Sequence, residues 1–175
     1  GNAYRGVGLT STASPGYGMP DQARTLILAG AHAAGGNTVN FPNTLAANIA
    51  DNGTGAVSLT KTGAGSWKLT GSNTYTGTTT VNGGTLRAAA AANNRAFGTL
   101  SAVTVGPAGN LDLNSTAQIL GSLAGQGNVT LGSGATGGMT VGGDNTGTDA
   151  TPIIFNGILS GSATNVSAAY NRLHT

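Results

Sequence analysis

The sequence predicts an all-β protein built as a β-solenoid, and three observations support this prediction. Short runs of alternating apolar and polar residues recur about every ten residues, which is too close a spacing for intervening helices. Gly-rich or Asn-rich stretches separate these runs, and the 31 glycines of the chain suit frequent tight corners. Aromatic residues make up only 5% of the chain, so the core has to consist of Val, Leu, Ile and Ala, as in a thin stack.

The clearest stretch is Val57–Leu86, which we interpret as one layer of the solenoid. Its predicted strands are Val57/Leu59, Trp67/Leu69, Thr79/Val81 and Thr85/Leu86, and its predicted corners are Gly63–Gly65, Gly71–Asn73 and Asn82–Gly84. Alternation places every second side chain of such a strand on one face. One layer cannot bury its apolar face alone, so we expect similar layers above and below it.

The part of the chain before this stretch contains further strand signals. Arg24–Ala29 and Thr38–Phe41 are predicted strands, because both are short and contain β-branched residues. Thr44–Ala50 alternates loosely and ends at Asp51–Gly53, a strong turn signal.

The pattern is interrupted after Leu86 and then resumes. Arg87–Phe97 is predicted to form a bulging corner loop, with a single helical turn at Ala88–Ala92 because Ala is the best helix former. The strands predicted beyond it are Ala102–Val105, Asn110–Leu113, Gln118–Leu123, Val129–Leu131 and Met139–Val141, with corners at Gly106-Pro107, Gly125–Gly127, Gly132–Gly134 and Gly142–Asn145. Ile153–Leu159 is the most hydrophobic segment and is expected to lie deep in the stack.

The composition shows no domain boundary, although both ends of the chain are less regular than its middle. We expect an extended N-terminal arm or cap at residues 1–24, the β-solenoid at residues 25–162, and a C-terminal cap or tail at residues 163–175. As an arm, Gly1–Asp21 would pair with the sheet edge of a neighbouring subunit. As a cap, it would form a loop over the first layer.

The charge content excludes several classes of protein. Charged residues make up 7% of the chain, the net charge is +2, and Glu and Cys are absent. The seven basic residues are scattered, so we predict no nucleic-acid binding and no attachment to anionic lipid. No apolar run approaches the roughly 20 residues of a membrane span, so membrane insertion is not expected. The absence of Cys rules out a disulfide framework.

The central part of the chain resembles a known repeat family. The run from Asp51 to Gly65, followed by Trp67–Gly77 and Thr79–Leu86, resembles the autotransporter-associated β-strand repeat, and the likeness extends more weakly to Gly161. The resemblance covers roughly residues 51–161 and about one family period, whereas Gly1–Ala50 shows no comparable match. It implies a right-handed parallel β-helix in a secreted or surface-displayed bacterial protein, and it supplies no catalytic residues.

The histidines and one Gly-rich loop are the candidate metal ligands of the sequence, and each lacks a feature that a metal site needs. His32 has no His, Cys or Glu partner at a workable spacing, and His174 lies one residue from the last residue of the sequence. Gly142–Asp149 carries oxygen ligands at alternate positions, as a calcium loop does, but it lacks the final bidentate Glu. We therefore interpret it as an Asn/Gly corner, with a calcium site as the minor alternative, and we predict no metal ligand and no cofactor.

The carboxylates leave one catalytic alternative open. The five acidic residues are Asp21, Asp51, Asp112, Asp144 and Asp149. Asp112 lies between Leu111 and Leu113, so it faces outward, and it could meet Asp51 or Asp144 on a stacked layer to form the carboxyl pair of a glycosidase. A carbohydrate site also needs aromatic platforms, and we expect Trp67 and Tyr75 to serve packing. We therefore predict no catalytic residue.

These observations favour an extracellular structural protein without enzymatic activity. The main hypothesis is a β-solenoid subunit that associates with itself head to tail into an extracellular or surface-attached filament. The first alternative is an adhesin passenger fragment that presents loops such as Arg87–Phe97 to a host or a polysaccharide. The second alternative is a carbohydrate-active β-helix enzyme, in which Asp112 would be essential.

Overall fold

The computed structural model describes residues 8–11, 21–31, 43–89, 95–133, 138–144, 154–162 and 165–168. All regular secondary structure within these ranges is β-strand, which confirms the all-β prediction for this part of the chain. The strands are β1 (Gly8–Ser11), β2 (Arg24–Leu28), β3 (Asn43–Leu45), β4 (Val57–Lys61), β5 (Ser66–Leu69), β6 (Thr79–Ala88), β7 (Ala102–Asp112), β8 (Ala117–Leu120), β9 (Ser122–Gly125), β10 (Asn128–Thr130), β11 (Gly138–Val141), β12 (Ile158–Ser160) and β13 (Asn165–Ala168). Within the same ranges, no helix has the length and apolar character needed to cross a membrane.

The strands from β2 onward pair in parallel and form three rows. The first row runs β2–β4–β6–β7–β9, the second row runs β3–β5–β6–β7–β10–β12, and the third row runs β8–β11–β13. β6 and β7 belong to both of the first two rows, because each is long enough to pair in the first row with its N-terminal half and in the second with its C-terminal half. The chain therefore returns to the same row after each layer, through the crossover connections that parallel strands require.

Facing residues of successive layers are 18 to 33 positions apart in the chain, since Leu111 lies opposite Val129 and Leu26 lies opposite Leu59. Val57–Leu86 was predicted to be one layer, and this prediction was wrong. β4 pairs with the first half of β6, and β5 pairs with its second half, where Trp67 lies opposite Leu86. The stretch therefore contains parts of two stacked layers.

Alternation within each strand builds the core as predicted. β4 buries Val57, Leu59 and Lys61 and leaves the two residues between them partly exposed. The register stacks the buried residues into columns, of which the principal ones are Leu26–Leu59–Thr79–Val103–Leu123, Leu28–Lys61–Val81–Val105 and Trp67–Leu86–Leu111–Val129. Each fully buried Leu or Val contributes roughly 1.5–3 kcal/mol of transfer free energy, so the columns stabilise the stack.

Two predicted corners lie inside strands. Asn82–Gly84 belongs to β6, and Gly106-Pro107 belongs to β7. The register between β6 and β7 shifts after Val81, so that two residues of β7 stand opposite Asn82, as in a β-bulge. Gly84 has a φ of 65°, and a Cβ there would lie 2.2 Å from the carbonyl oxygen of Gly65. The chain therefore passes from the first row to the second through a bend within a continuous strand.

Two predicted strands differ in extent from the observed ones. Gln118–Leu123 is divided at Gly121 into β8, which joins the third row, and β9, which joins the first. Thr44–Ala50 forms a strand only up to Leu45. The backbone N–H of Ile49 donates instead to the side chain of Asn73.

The prediction that Ile153–Leu159 lies deep in the stack was wrong for most of the residues described, although the partly buried Phe155 packs against the core. Ile154 is 58% exposed, Ile158 65% and Leu159 43%. Ile158 and Leu159 belong to β12, which pairs with β10 and is the last strand of the second row. Hydrophobicity alone predicts burial, but burial at this position would require a further layer on β12.

At the other end, β1 pairs antiparallel with β2, with Gly8 opposite Ile27 and Ser11 opposite Arg24. The segment predicted as an arm or a cap thus covers an edge of its own chain's sheet at these four residues. Its remaining residues before Asp21 lie outside the described ranges, as do Thr38–Phe41, most of Ala88–Ala92, and residues 169–175. The division into these three segments remains a prediction.

Candidate functional site

The structure pairs Asp112 with an arginine rather than with a second acid. Nε of Arg87 lies 3.4 Å from Oδ2 of Asp112, and the backbone N–H of Asn114 donates to Oδ1 of Asp112 at 2.8 Å. Arg87 also donates to the side-chain oxygen of Asn114. Asp112 faces outward as predicted, but its partners make it part of a structural ion pair.

The carboxylate of Asp51 joins two layers. Its Oδ1 accepts hydrogen bonds from the backbone N–H groups of Val57 (2.8 Å) and Thr76 (3.0 Å), and its Oδ2 accepts one from the Thr76 hydroxyl (2.7 Å). Burial alone would raise the pKa of Asp51, but these three donors outweigh it and hold the pKa below the usual 3.8. Asp51 is thus committed to fixing the turn that precedes β4.

Asp51→Asn is expected to lower the free energy of unfolding at neutral pH by less than about 1 kcal/mol, because the carboxylate is partly exposed. In the wild type this contribution is present above the pKa of the unfolded chain, about 3.9, and is lost as pH falls through the lower folded-state pKa. Urea unfolding at neutral and acidic pH should therefore show a smaller acid loss in the variant. Equal losses in the two proteins would contradict the assignment.

The other groups considered for metal or catalytic chemistry are only partly described. His32, His174 and Asp149 lie outside the described residues, as does the second half of the Gly142–Asp149 loop. Among the residues described, no three or more His, Cys, Asp or Glu side chains come together in a way that could hold a metal ion. Asp21 accepts a hydrogen bond from the backbone of Thr54 at 2.7 Å, which again is a contact between segments of the fold.

Lys61 is a buried cation that the sequence analysis did not identify. Its side chain points into the column formed with Leu28 and Val81, and it is 0% exposed. Nζ donates to the carbonyl oxygens of Thr62 (2.7 Å), Gly63 (2.8 Å) and Gly83 (2.9 Å). Burial lowers the pKa of Lys61 to about 8. The ammonium group thus joins a corner of one layer to the next layer.

Trp67 and Tyr75 pack in the core, as predicted. Trp67 is 7% exposed and donates from Nε1 to the carbonyl oxygen of Ala29 in the preceding layer (3.0 Å). Tyr75 is 0% exposed, and its hydroxyl lies 2.6 Å from Oγ1 of Thr79. Oγ1 of Thr79 also lies 3.0 Å from the hydroxyl of Ser101 and 3.2 Å from the carbonyl oxygen of Phe97. Neither ring is placed to bind a ligand.

Thr79→Val is expected to lower the free energy of unfolding by about 1–2 kcal/mol, because it leaves the buried Tyr75 hydroxyl and the Phe97 carbonyl without this partner. The matched control is Thr80→Val, since Thr80 is the next residue and faces outward. Its effect should be within about 0.5 kcal/mol. Urea unfolding of both variants measures the difference, and equal effects would show that the network contributes nothing.

A chain of buried side-chain amides crosses four layers. Asn73, 1% exposed, accepts from the Ile49 N–H at 2.8 Å and donates to the Ala96 carbonyl at 2.6 Å. Gln118, 2% exposed, accepts from the Ala96 N–H at 2.9 Å. These amides satisfy backbone groups at positions where the chain forms no strand ladder. We define Asn73 and Gln118 as the amide column.

Several neighbouring outward side chains of the first row carry hydroxyl groups, between Ile27 at one end of their column and Ala124 at the other. Thr60 lies opposite Thr80, and Thr80 lies opposite Thr104, so the three form an outward column. Beside it, the hydroxyl of Ser58 lies 3.4 Å from that of Thr78. We name these five residues the hydroxyl face. Within the described part of the chain, the hydroxyls of the Thr60–Thr80–Thr104 column make no hydrogen bond to protein groups.

The outward side chains of the second row are different, because they include charges. Lys68 lies opposite Arg87, and Arg87 lies opposite Asp112. Thr44 stands beside Lys68 at the start of this row and is exposed. The two rows thus present chemically distinct surfaces, one uncharged and one charged.

Parts of the chain are similar to one protein family and to one characterised relative. Residues 59–88 match the family described as Passenger-associated-transport-repeat. The chain is also 41% identical over 78 residues to the adhesin BmaC autotransporter of Brucella suis biovar 1 (strain 1330). That match covers 45% of this chain and 2% of the relative, so the chain spans a very small part of that protein's length. No solved structure matches the chain.

These findings confirm the predicted resemblance to autotransporter passenger repeats. They also confirm the predicted location, which is extracellular or at the cell surface. The matched residues include Lys61, Trp67, Asn73 and Thr79, each of which makes a contact between layers. The repeat signature therefore includes several of the groups that join successive layers, and Asp51 and Gln118 add others outside it.

Proposed function

Because the chain carries an autotransporter passenger repeat and lies outside the cell or at its surface, we propose that it is a segment of an adhesin stalk. The stalk would be a right-handed parallel β-helix, in which each layer of 18 to 33 residues stacks on the preceding one. The parallel order of all three rows supports this, since crossovers between parallel strands of one sheet are right-handed in about 98% of cases. Its role would be to hold adhesive surfaces away from the cell.

The observation that carries the proposal is that the matched repeat contains several of the contacts between layers. Residues 59–88 supply the Trp67 indole, the Lys61 ammonium and the Asn73 amide, which reach backbone groups of neighbouring layers. An element that repeats such contacts can be extended by adding layers, which is what a stalk requires. The relative that matches 45% of this chain is named an adhesin.

The other two hypotheses have less support. For head-to-tail association into a filament, an exposed edge is needed at both ends, and β1 lies along β2 at one of them. For a carbohydrate-active enzyme, Asp112 would need a second carboxyl group, and it faces Arg87. The adhesin hypothesis requires neither. The Arg87–Phe97 segment cannot present all of its residues to a host or a polysaccharide, because Ala96 and Phe97 are buried in the core.

The test is display of the full 175-residue chain on a non-adherent bacterial host, fused between an export signal and a membrane translocator. Cells that display the chain are expected to adhere to epithelial monolayers or polysaccharide-coated surfaces more than cells that display the translocator alone. Equal adhesion of the two strains, with display verified by surface labelling, would overturn the adhesive role.

A further inference from the structure

The hydroxyl face has a composition that folding alone does not require. Outward positions of a sheet accept charged side chains readily, and the second row carries Lys68, Arg87 and Asp112 at such positions. On the first row, β4, β6 and β7 place six side chains outward. These are Ser58, Thr60, Thr80, Asn82, Ala102 and Thr104. None of them is charged, although two of these strands, β6 and β7, also contribute to the charged second row.

We propose that the hydroxyl face binds an extended, neutral polysaccharide. This inference rests on the proposed adhesive function and names the chemical class of its ligand. The hydroxyls of the Thr60–Thr80–Thr104 column are not used by described protein groups, so they are available to donate to and accept from sugar hydroxyls. The methyl groups of the same threonines offer apolar contact to the C–H surface of a sugar ring.

The geometry favours a polymer over a single sugar. Parallel strands lie about 4.8 Å apart, and alternate residues of one strand about 6.7 Å apart, so the face is a regular array. A single sugar usually needs an aromatic platform, and Trp67 and Tyr75 are both in the core. Weak contacts that repeat along the array gain strength when one chain engages several of them at once.

The absence of charge decides between neutral and acidic polysaccharides. An anionic chain on this face would lose hydration without meeting an outward cation, since Lys61 points inward and is buried, and Arg24 lies in register with the buried Val57. The outward cations Lys68 and Arg87 lie on the second row. The charge distribution of the two rows thus assigns neutral ligands to the first.

The experiment measures binding of the purified full chain to four insoluble neutral probes, namely cellulose, chitin, β-1,3-glucan and mannan-coated beads, with heparin beads as the charged comparison. The test variant is Thr60→Val/Thr80→Val/Thr104→Val, which removes three hydroxyls and keeps the side-chain shape and β propensity. The matched control is Thr44→Val, an exposed outward threonine of the second row. A second test variant, Thr104→Lys, places a charge on the exposed end of the column without touching the core.

The wild type and Thr44→Val are expected to bind at least one neutral probe with equal affinity. The triple variant and Thr104→Lys should each bind it about tenfold more weakly, from the loss of hydrogen bonds of ordinary strength. A soluble disaccharide of the same probe should compete about a hundredfold less well than the soluble polymer. Binding to heparin alone, binding to no neutral probe, or unchanged binding by both test variants would each overturn the proposal.

The same variants separate this inference from the adhesive role. If displaying cells adhere and the triple variant adheres equally well, adhesion stands and its assignment to the hydroxyl face fails. If the purified chain binds a neutral probe through the hydroxyl face but displaying cells do not adhere, the binding surface stands and the adhesive role fails.

Discussion

Asn73→Leu is expected to lower the free energy of unfolding by about 2–4 kcal/mol, because it leaves two buried backbone groups without a partner. The side chain of Asn73 accepts from the Ile49 N–H and donates to the Ala96 carbonyl, and it is 1% exposed. Leu keeps the γ-branched shape of Asn but is larger, so the substitution leaves no cavity, and the loss combines the unsatisfied backbone groups with some overpacking. The midpoint of urea unfolding measures the loss, and faster hydrogen exchange at the Ile49 amide locates it.

The matched control for this variant is Asn82→Leu. Asn82 lies on β6 and is exposed, so the same substitution there should change the free energy of unfolding by no more than about 0.5 kcal/mol. A similar loss in both variants would mean that Leu disturbs the strands generally. A loss in neither would mean that the amide column does not stabilise the stack.

Alternation was sufficient to predict strands such as β4 and β5. Each has apolar residues at every second position, and that period of two follows directly from the geometry of an extended chain. It predicts which side chains point inward without any knowledge of their partners. This is why the all-β class, the core roles of Trp67 and Tyr75, and the outward direction of Asp112 could be read from the sequence.

The layer boundaries could not be read from the sequence, because a Gly-rich stretch predicts a change of direction but not its size. Asn82–Gly84 and Gly106-Pro107 look like corners, yet they are bends within β6 and β7. Gly84 permits such a bend with its φ of 65° and allows the Gly65 carbonyl to approach. Only the pairing of β4 and β5 with the same strand reveals that Val57–Leu86 spans two layers.

The polar residues of the core were missed for a related reason. Lys61, Asn73 and Thr79 are polar, and polarity in a short pattern indicates solvent. Their partners are backbone groups of other layers, such as the Gly83 carbonyl for Lys61, which lies 22 residues away in the chain. A sequence window shorter than a layer contains only one side of such a contact.

These buried polar groups also offer an account of register. Apolar columns of Leu and Val tolerate sliding of one layer over another, because hydrophobic contact is not directional. A buried amide or ammonium with fixed acceptors loses its hydrogen bonds if the layer slides, and the cost of the unsatisfied groups opposes the shift. Lys61 illustrates this role, since one of its three acceptors lies in the next layer.

Raising the pH from about 7.5 to 9.5 is expected to increase the free energy of unfolding by about 2 kcal/mol through Lys61. The pKa of Lys61 is about 8 in the folded chain, against 10.5 for an ordinary lysine. Between these values the unfolded chain binds more protons than the folded chain, so stability rises with pH in this window. Above about pH 10 the gain should reverse, because burial raises the pKa of Tyr75 and the unfolded chain then ionises first.

Lys61→Met and Lys68→Met separate this effect from the general titration of the protein. Lys61→Met removes the buried ammonium, so its stability should be nearly independent of pH between about 7.5 and 9.5. Lys68 lies at an outward position of β5, so Lys68→Met should keep the rise seen in the wild type. Urea unfolding at a series of pH values measures all three proteins. If the wild type shows no rise, the three carbonyl acceptors hold Lys61 charged throughout, and the ammonium is then a permanent link between layers.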